Sequence, residues 1–141
     1  MEKWILYAII SMVFAGITSV LAKFGMKNLN SDTALVIRTS IVFSIILANG
    51  LLFKNAFTEI RHTSLQNILF LALSGITTSL SWVFYYRAMK EGQVSYVASI
   101  DKASIVVTLL LSFVLLKEPV TAKVLMGAGF ILTGMIILVW K

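Results

Sequence analysis

Five long runs of apolar residues constrain this chain more than any other feature, because each is long enough to cross a lipid bilayer. A helix needs about 20 mainly apolar residues to span the hydrocarbon core. Short polar segments separate the runs, which lie at about 4–22, 34–53, 67–86, 94–116 and 122–140. The sequence therefore predicts an all-α integral membrane fold with five transmembrane helices, in which residues 1–141 form a single transmembrane domain.

The composition excludes most soluble and enzymatic classes. Hydrophobic residues make up 59% of the chain and charged residues 13%, whereas a soluble domain carries about 25% charged residues. The chain has no cysteine, and its one histidine is His62, so we expect neither disulfides nor a Cys- or His-based metal site. We find no paired acids, nucleophile motif or phosphate-binding loop. The prediction is a protein that is not an enzyme and uses no cofactor.

The basic residues are balanced across the predicted membrane, and they stand at the ends of the runs, where lipid headgroups anchor them. We therefore expect the bilayer, and not nucleic acid, to be the partner of this charge. The N-terminal side holds Lys3, Lys54, Arg61, Lys117 and Lys123, and the other side holds Lys23, Lys27, Arg87, Lys90 and Lys141. Arg38 and Lys102 lie within runs, toward the second side. Either a weak bias still sets one orientation, or both orientations insert and pair as an antiparallel dimer.

A polar stripe follows the fourth run. Asp101, Ser104 and Thr108 are spaced i, i+3 and i+7, which places them on one helix face. Asp101 is the one acid clearly inside a run, about 10 Å past Val94 at 1.5 Å per residue. Intramembrane acids are functional candidates because an isolated carboxylate is costly there. Asp101 is thus a candidate for proton coupling or for contact with a cation.

The alternative is a structural ion pair between Asp101 and a basic residue at similar depth: Arg38, Lys23 or Lys102. On an ideal helix Lys102 points about 100° away from Asp101, and it can extend to the nearby surface. Arg38 can pair with Asp101 or hold an anionic group of a substrate. Lys23, at the end of the first run, is interpreted mainly as an interface anchor.

Hydroxyl and aromatic side chains share a face of the third run. Such a face suits a cavity for an organic solute, because rings supply stacking and cation–π contacts. The alternative is that the rings are ordinary interfacial residues, which is what we expect of Tyr86. The candidate cavity residues, including those on the second and fourth runs, are Thr78, Ser81, Trp82, Tyr85, Ser104, Thr108 and Asn49.

Small residues mark the first and fifth runs. Gly16 lies in the first, and Gly127 and Gly134 are seven residues apart in the fifth. Small side chains let membrane helices approach closely. These glycines predict helix packing or a dimer contact, with the fifth run as scaffold.

Two segments resemble a known family. The hairpin LLLSFVLLKEPVTAKVLMGAGFILTGMIIL resembles the closing hairpin of the EamA domain in the drug/metabolite transporter superfamily, through Glu118, Gly127 and Gly134. The segment GITTSLSWVFYYRAMKEGQVSYVASIDKAS resembles the middle of small, single-domain EamA proteins. Its matching residues are Ser81, Trp82, Tyr85, Tyr86, Arg87, Ala88, Gly92, Ile100, Asp101, Lys102 and Ser104. Lys23, Gly25 and Arg38 fit the same group.

The resemblance implies half of a larger transport machine. Full-length EamA transporters contain two five-helix units of inverted topology, in which helices one to four line a cavity and the fifth gives support. A single unit implies a secondary transporter of a small organic metabolite, built by an antiparallel homodimer or with a paralogous half-transporter. Alternating access, optional proton exchange and a prokaryotic plasma (inner) membrane location follow from the same resemblance. The alternative is a non-transporting accessory or scaffold subunit.

The chain departs from one branch of that superfamily. Small multidrug-resistance members use a glutamate in their first helix, and the first run here has no interior acid. Their mechanism therefore cannot be transferred, and Asp101 is left as the candidate for a similar part.

Overall fold

Helices account for most of the described residues, which are 2–52, 59–60 and 62–140 of a computed structural model. The elements used below are α1 (Lys3–Gly25), α2 (Ser31–Leu52), α3 (Leu65–Glu91), α4 (Val94–Asp101), α5 (Ser104–Leu111) and α6 (Ala122–Val139). Within the described ranges, α1, α2, α3, the segment Val94–Leu116 and α6 are long and apolar enough to span a membrane. The predicted all-α fold with five spans is confirmed. Phe53, Lys54, Arg61 and Lys141, used above for a span end and for the charge balance, lie outside the described residues.

The chain divides into two compact units, Met1–Lys90 and Glu91–Lys141, and each is described by itself. In the first unit, α3 contacts both α1 and α2 through long side chains. The Tyr85 hydroxyl lies 2.9 Å from the Ser19 hydroxyl of α1, and Arg87 forms a 3.4 Å ion pair with Asp32 of α2. The third helix thus contacts each of the other two.

Buried side chains of the first unit gather near the end of α1 and the end of α3. Met26 and Met89 are almost fully buried, and Tyr86, which precedes Met89 by one helical turn, is also buried. The sequence placed the end of the third span at 86, but α3 continues to Glu91. Lys23 donates a hydrogen bond to the Met89 carbonyl at 2.5 Å, which satisfies a carbonyl of the last turn that would otherwise need water or a cap.

Outside that cluster, the large apolar side chains of the spans are mostly exposed on the isolated chain. Exposed apolar surface of this extent marks a membrane or protein contact. Such a surface is expected of a chain whose described residues include five helices long enough to span a membrane.

The second unit packs α4 against α6. Ile100 of α4 lines an apolar cavity of about 340 Å³ together with Met135 and Ile136 of α6. The helix α6 begins after Thr121, whose side-chain oxygen accepts a hydrogen bond from the Val124 amide at 3.4 Å, a normal N-cap.

The fourth span was predicted as one helix, and in the structure it changes conformation twice. A turn at Lys102–Ala103 separates α4 from α5, and Ser112–Leu116 forms a π-helical turn. The span ends at Lys117, whose φ of 55° lies in the left-handed region.

Candidate functional site

The side chain of Arg38 lies against two aromatic rings. Its guanidinium carbon is 4.3 Å from the ring centre of Trp82 and 5.8 Å from that of Tyr86. The two rings are four residues apart on α3 and therefore lie on one helix face. Cations within about 6 Å of a ring centre are attracted by its electrons. The faces of the two rings therefore attract the charge of Arg38.

One nitrogen of Arg38 has an unmet hydrogen-bonding need. Its Nη1 is buried and has no hydrogen-bond partner among the described residues. A guanidinium carries five N–H donors and no acceptor, and a buried donor without a partner costs about 1–3 kcal/mol, more when it is charged. Such a group in a membrane-spanning segment indicates a site that another molecule completes.

A cavity of about 330 Å³ lies next to this group. Its walls are mostly apolar, and Arg38 and Tyr86 are among the residues that line it. The lining residues are Thr18, Leu21, Ala22, Gly25, Leu29, Ala34, Ile37, Arg38, Ile41, Val42 and Tyr86. An apolar cavity with a few polar groups is the usual form of a small-molecule site.

Tyr86 was expected to be an interfacial aromatic, and that expectation is wrong. Its side chain is buried and contacts both the cavity and Arg38. The spacing of four residues from Trp82 was the signal that could have placed it on the same face. Its neighbour Tyr85 instead makes the hydroxyl contact with Ser19, so the two tyrosines serve different helix contacts.

Two lysines each donate hydrogen bonds to backbone carbonyls at the end of the other's helix. Lys23 of α1 donates to the Met89 carbonyl at 2.5 Å, and Lys90 of α3 donates to the carbonyls of Met26 and Leu29, both at 2.8 Å. The predicted anchor Lys23 therefore has a defined structural role at the end of α3. Its role in coupling stays a prediction.

Asp101 lies at the break in the fourth span. Its Oδ2 is 3.3 Å from Lys102 Nζ, so the expectation that the two side chains point apart is wrong. In place of the regular ladder, the amides of Lys102 and Ala103 donate to the carbonyls of Ser99 and Ile100 at 3.1 and 2.9 Å. These bonds span three residues, as in a 3₁₀-helix, and the tighter turn departs from the ideal spacing used for the prediction.

The predicted pair of Arg38 with Asp101 would join the two units and stays a prediction. Within residues 91–141 the carboxylate of Asp101 pairs with Lys102, which agrees with one of the structural alternatives. The side chain of Asp101 is 37% exposed and that of Lys102 is 66% exposed. An exposed pair of this kind contributes about 0–1 kcal/mol to stability.

The other candidate cavity residues are not brought together with Arg38 within the first unit. The Thr78 hydroxyl donates to the Ser74 carbonyl of its own helix at 2.8 Å, and Ser81 and Asn49 are exposed. In the second unit, Ser104 and Thr108 are exposed on α5. Their assignment to a substrate cavity stays a prediction.

The structure does not test the predicted helix-packing role of the three glycines. A methyl group built at Gly16, Gly127 or Gly134 would meet no atom of the described chain within 4 Å. Among the described residues, no group of three or more His, Cys, Asp or Glu is placed to hold a metal ion.

Five spans and a largely apolar cavity with a cation in its wall define a multi-pass integral membrane protein with a candidate solute site. Residues 2–140 match the EamA-like transporter family. The chain is also 35% identical over 137 residues to a Sinorhizobium sp protein named "Uncharacterized transporter in cobO 3'region", with 97% of this chain and 96% of that protein covered. No solved structure matches it. The chain belongs to the EamA-like transporter family of the drug/metabolite transporter superfamily, as its motifs predicted.

Proposed function

We propose that this chain is a secondary transporter that moves a small organic metabolite by alternating access. The observation that carries the proposal is the cavity of about 330 Å³ with Arg38 in its wall. Family membership and the name of the bacterial relative favour transport. The bacterial source of that relative favours a prokaryotic plasma membrane as the location.

A scaffold role fits this cavity less well. A subunit that only stabilises helix packing gains nothing from a buried guanidinium nitrogen that lacks an acceptor, because the unmet bond is destabilising. A transporter can tolerate that cost, since its substrate supplies the acceptor when it binds. The accessory-subunit alternative therefore predicts that Arg38 can be replaced without loss of function.

We further propose that the functional unit is an antiparallel dimer, with a paralogous half-transporter as the alternative partner. Three features support it: the balanced basic residues of the sequence, the exposed apolar faces, and the unfilled space at the glycines of α6. Inverted pairs of this kind form substrate sites between their halves.

A topology measurement tests the homodimer. A tag at the C-terminus of the full chain should be accessible from both sides of intact cells and inverted vesicles, in comparable amounts. If every molecule exposes the tag on one side, the antiparallel homodimer is excluded.

Asp101 is the proposed coupling acid. It lies where the fourth span leaves regular helix geometry, and a stretch of 3₁₀ inside a helix often marks a hinge. Broken helices are also where transporters bind substrates and coupling ions. In the proposed cycle, the carboxylate of Asp101 exchanges Lys102 for a proton as the hinge moves.

Transport should be measured in vesicles that contain the purified chain, with a panel of labelled metabolites and an imposed pH gradient. Asp101→Asn should abolish gradient-driven flux, while Asp32→Asn, which removes an acid paired with Arg87, should retain it. Because the Asp101–Lys102 pair is exposed, unfolding should not explain the loss, and thermal melting of each variant checks this. Absence of flux across the panel, with only stability changed in Asp101→Asn, would contradict the transport proposal.

A further inference from the structure

The substrate class can be narrowed from the surroundings of Arg38. We infer that the cavity binds a small organic anion, with a carboxylate at the Arg38 guanidinium and an apolar body against the walls of α1 and α2. The inference rests on the proposed transport of a small organic solute and names the chemistry of that solute.

The first argument is charge balance. Arg38 forms no ion pair within the described part of residues 1–90, and the acid on the same helix, Asp32, pairs with Arg87. Lys23 and Lys90 of this unit donate hydrogen bonds to backbone carbonyls. Within the described part of residues 1–90, the cavity wall therefore carries a positive charge without a counter-ion. A substrate cation would be repelled there, and a neutral solute would leave the charge uncompensated.

The second argument is the geometry of the guanidinium. A guanidinium that stacks on aromatic rings uses its planar face, whereas carboxylates bind to its edge through two parallel N–H bonds. The two kinds of contact do not compete. Because the rings hold Arg38 without hydrogen bonds at Nη1, the group can turn toward an arriving carboxylate without breaking a bond there.

The third argument concerns the body of the ligand. The cavity of about 330 Å³ is at the lower end of the range of about 300–1,000 Å³ for small-molecule sites. Leu21, Ile37, Ile41 and Val42 supply aliphatic walls. A monocarboxylate with one short chain or one ring matches this combination of size, polarity and charge.

Matched anionic and neutral probes test the inference. The full chain in nanodiscs is titrated with phenylacetate, hexanoate and benzoate, and with phenylacetamide, hexanamide and benzamide, and binding is followed by saturation-transfer NMR. In each pair the amide keeps the shape and loses the charge. At least one carboxylate should bind at least tenfold more tightly than its amide, and a lack of preference in all three pairs would overturn the inference.

Variants then assign the preference to Arg38. Arg38→Gln should lower the affinity for the preferred carboxylate at least tenfold, and Arg38→Lys should retain part of it because a point charge remains. Arg87→Gln, which removes an arginine paired with Asp32, should bind as the unaltered chain does. Unchanged binding in Arg38→Gln would overturn the inference. If that variant does not fold, the carboxylate and amide comparison on the unaltered chain decides alone.

Failure of this inference is distinguishable from failure of the transport proposal, because binding at equilibrium needs no flux. Carboxylate preference that depends on Arg38, without flux of any solute in vesicles, supports the anion site and contradicts transport. Vesicle flux together with equal binding of carboxylates and amides supports transport and overturns the anion site.

Discussion

Lys23 and Lys90 make reciprocal hydrogen bonds: each ammonium donates to a carbonyl near the C-terminal end of the other's helix. Lys23 reaches Met89 at 2.5 Å, and Lys90 reaches Met26 and Leu29, both at 2.8 Å. Terminal carbonyls have no partner within their own helix, and they carry the negative end of the helix dipole. Each lysine therefore satisfies acceptors and neutralises charge at the same time.

These reciprocal bonds predict that Lys90 stabilises the first unit. Lys90→Met keeps the length of the aliphatic stem and removes both hydrogen bonds, so it should lower the unfolding free energy by about 1–2 kcal/mol. Reversible unfolding in mixed micelles measures the change. The control is Lys27→Met, since Lys27 lines the neighbouring cavity and no described hydrogen bond involves its side chain. Equal effects of the two substitutions would show that the carbonyl contacts contribute nothing measurable.

The contact of Arg38 with Trp82 predicts a coupling energy between the two side chains. Unfolding is measured for the unaltered chain, Arg38→Gln, Trp82→Leu and the double variant. The coupling should be about 0.5–2 kcal/mol, the range of cation–π pairs. A matched cycle with Trp82→Phe should give a smaller coupling, because phenylalanine keeps a ring of weaker attraction. Additive effects in both cycles would contradict an energetic contact.

The left-handed backbone of Lys117 predicts a stabilising substitution. Its φ is 55°, a conformation that costs a residue with a Cβ roughly 1–2 kcal/mol and glycine almost nothing. Lys117→Gly should therefore be more stable than Lys117→Ala, by about 1 kcal/mol. Both variants lose the same charge, so their difference isolates the backbone. A glycine variant that unfolds as readily as the alanine variant would show that this residue is not held left-handed.

The spans could be predicted from the sequence because their signal is local. An apolar run of the required length has one stable form in a membrane, since its backbone must satisfy its own hydrogen bonds. The ends of the spans were less predictable. The second begins at Ser31 and the third continues to Glu91. The last turn of the third helix is contacted from another helix by Lys23, and a local sequence pattern carries no signal of such a contact.

The site could be predicted only in part. Arg38 and Trp82 were singled out because charge and aromatic rings inside a span are conspicuous. In the structure, the guanidinium carbon of Arg38 is 4.3 Å from the ring centre of Trp82. Helical periodicity continued through Asp101, Ser104 and Thr108 and so gave no sign of the turn at Lys102–Ala103. Periodicity describes an ideal helix. A turn of only two residues leaves the polar and apolar pattern on either side of it intact, so the pattern does not reveal the turn.

The empty space at the glycines of α6 predicts where a second copy packs. A methyl group at Gly127 or Gly134 meets nothing within 4 Å in the described chain, so larger side chains there should leave the isolated chain folded. In an antiparallel dimer that uses this face, the same side chains would hold the helices apart.

Gly134→Leu should therefore weaken the dimer at least tenfold while its monomer melts within a few degrees of the unaltered chain. Cross-linking and single-molecule subunit counting at graded lipid dilution measure the dimer. Ile137→Ala is the control, because it changes an exposed side chain one turn away and makes it smaller. If Gly134→Leu dimerises as the unaltered chain does, α6 is not the dimer face, and the glycines have no packing role in the assembly. If Gly134→Leu weakens the dimer and also loses vesicle flux, while Ile137→Ala keeps both, the dimer is the transporting unit.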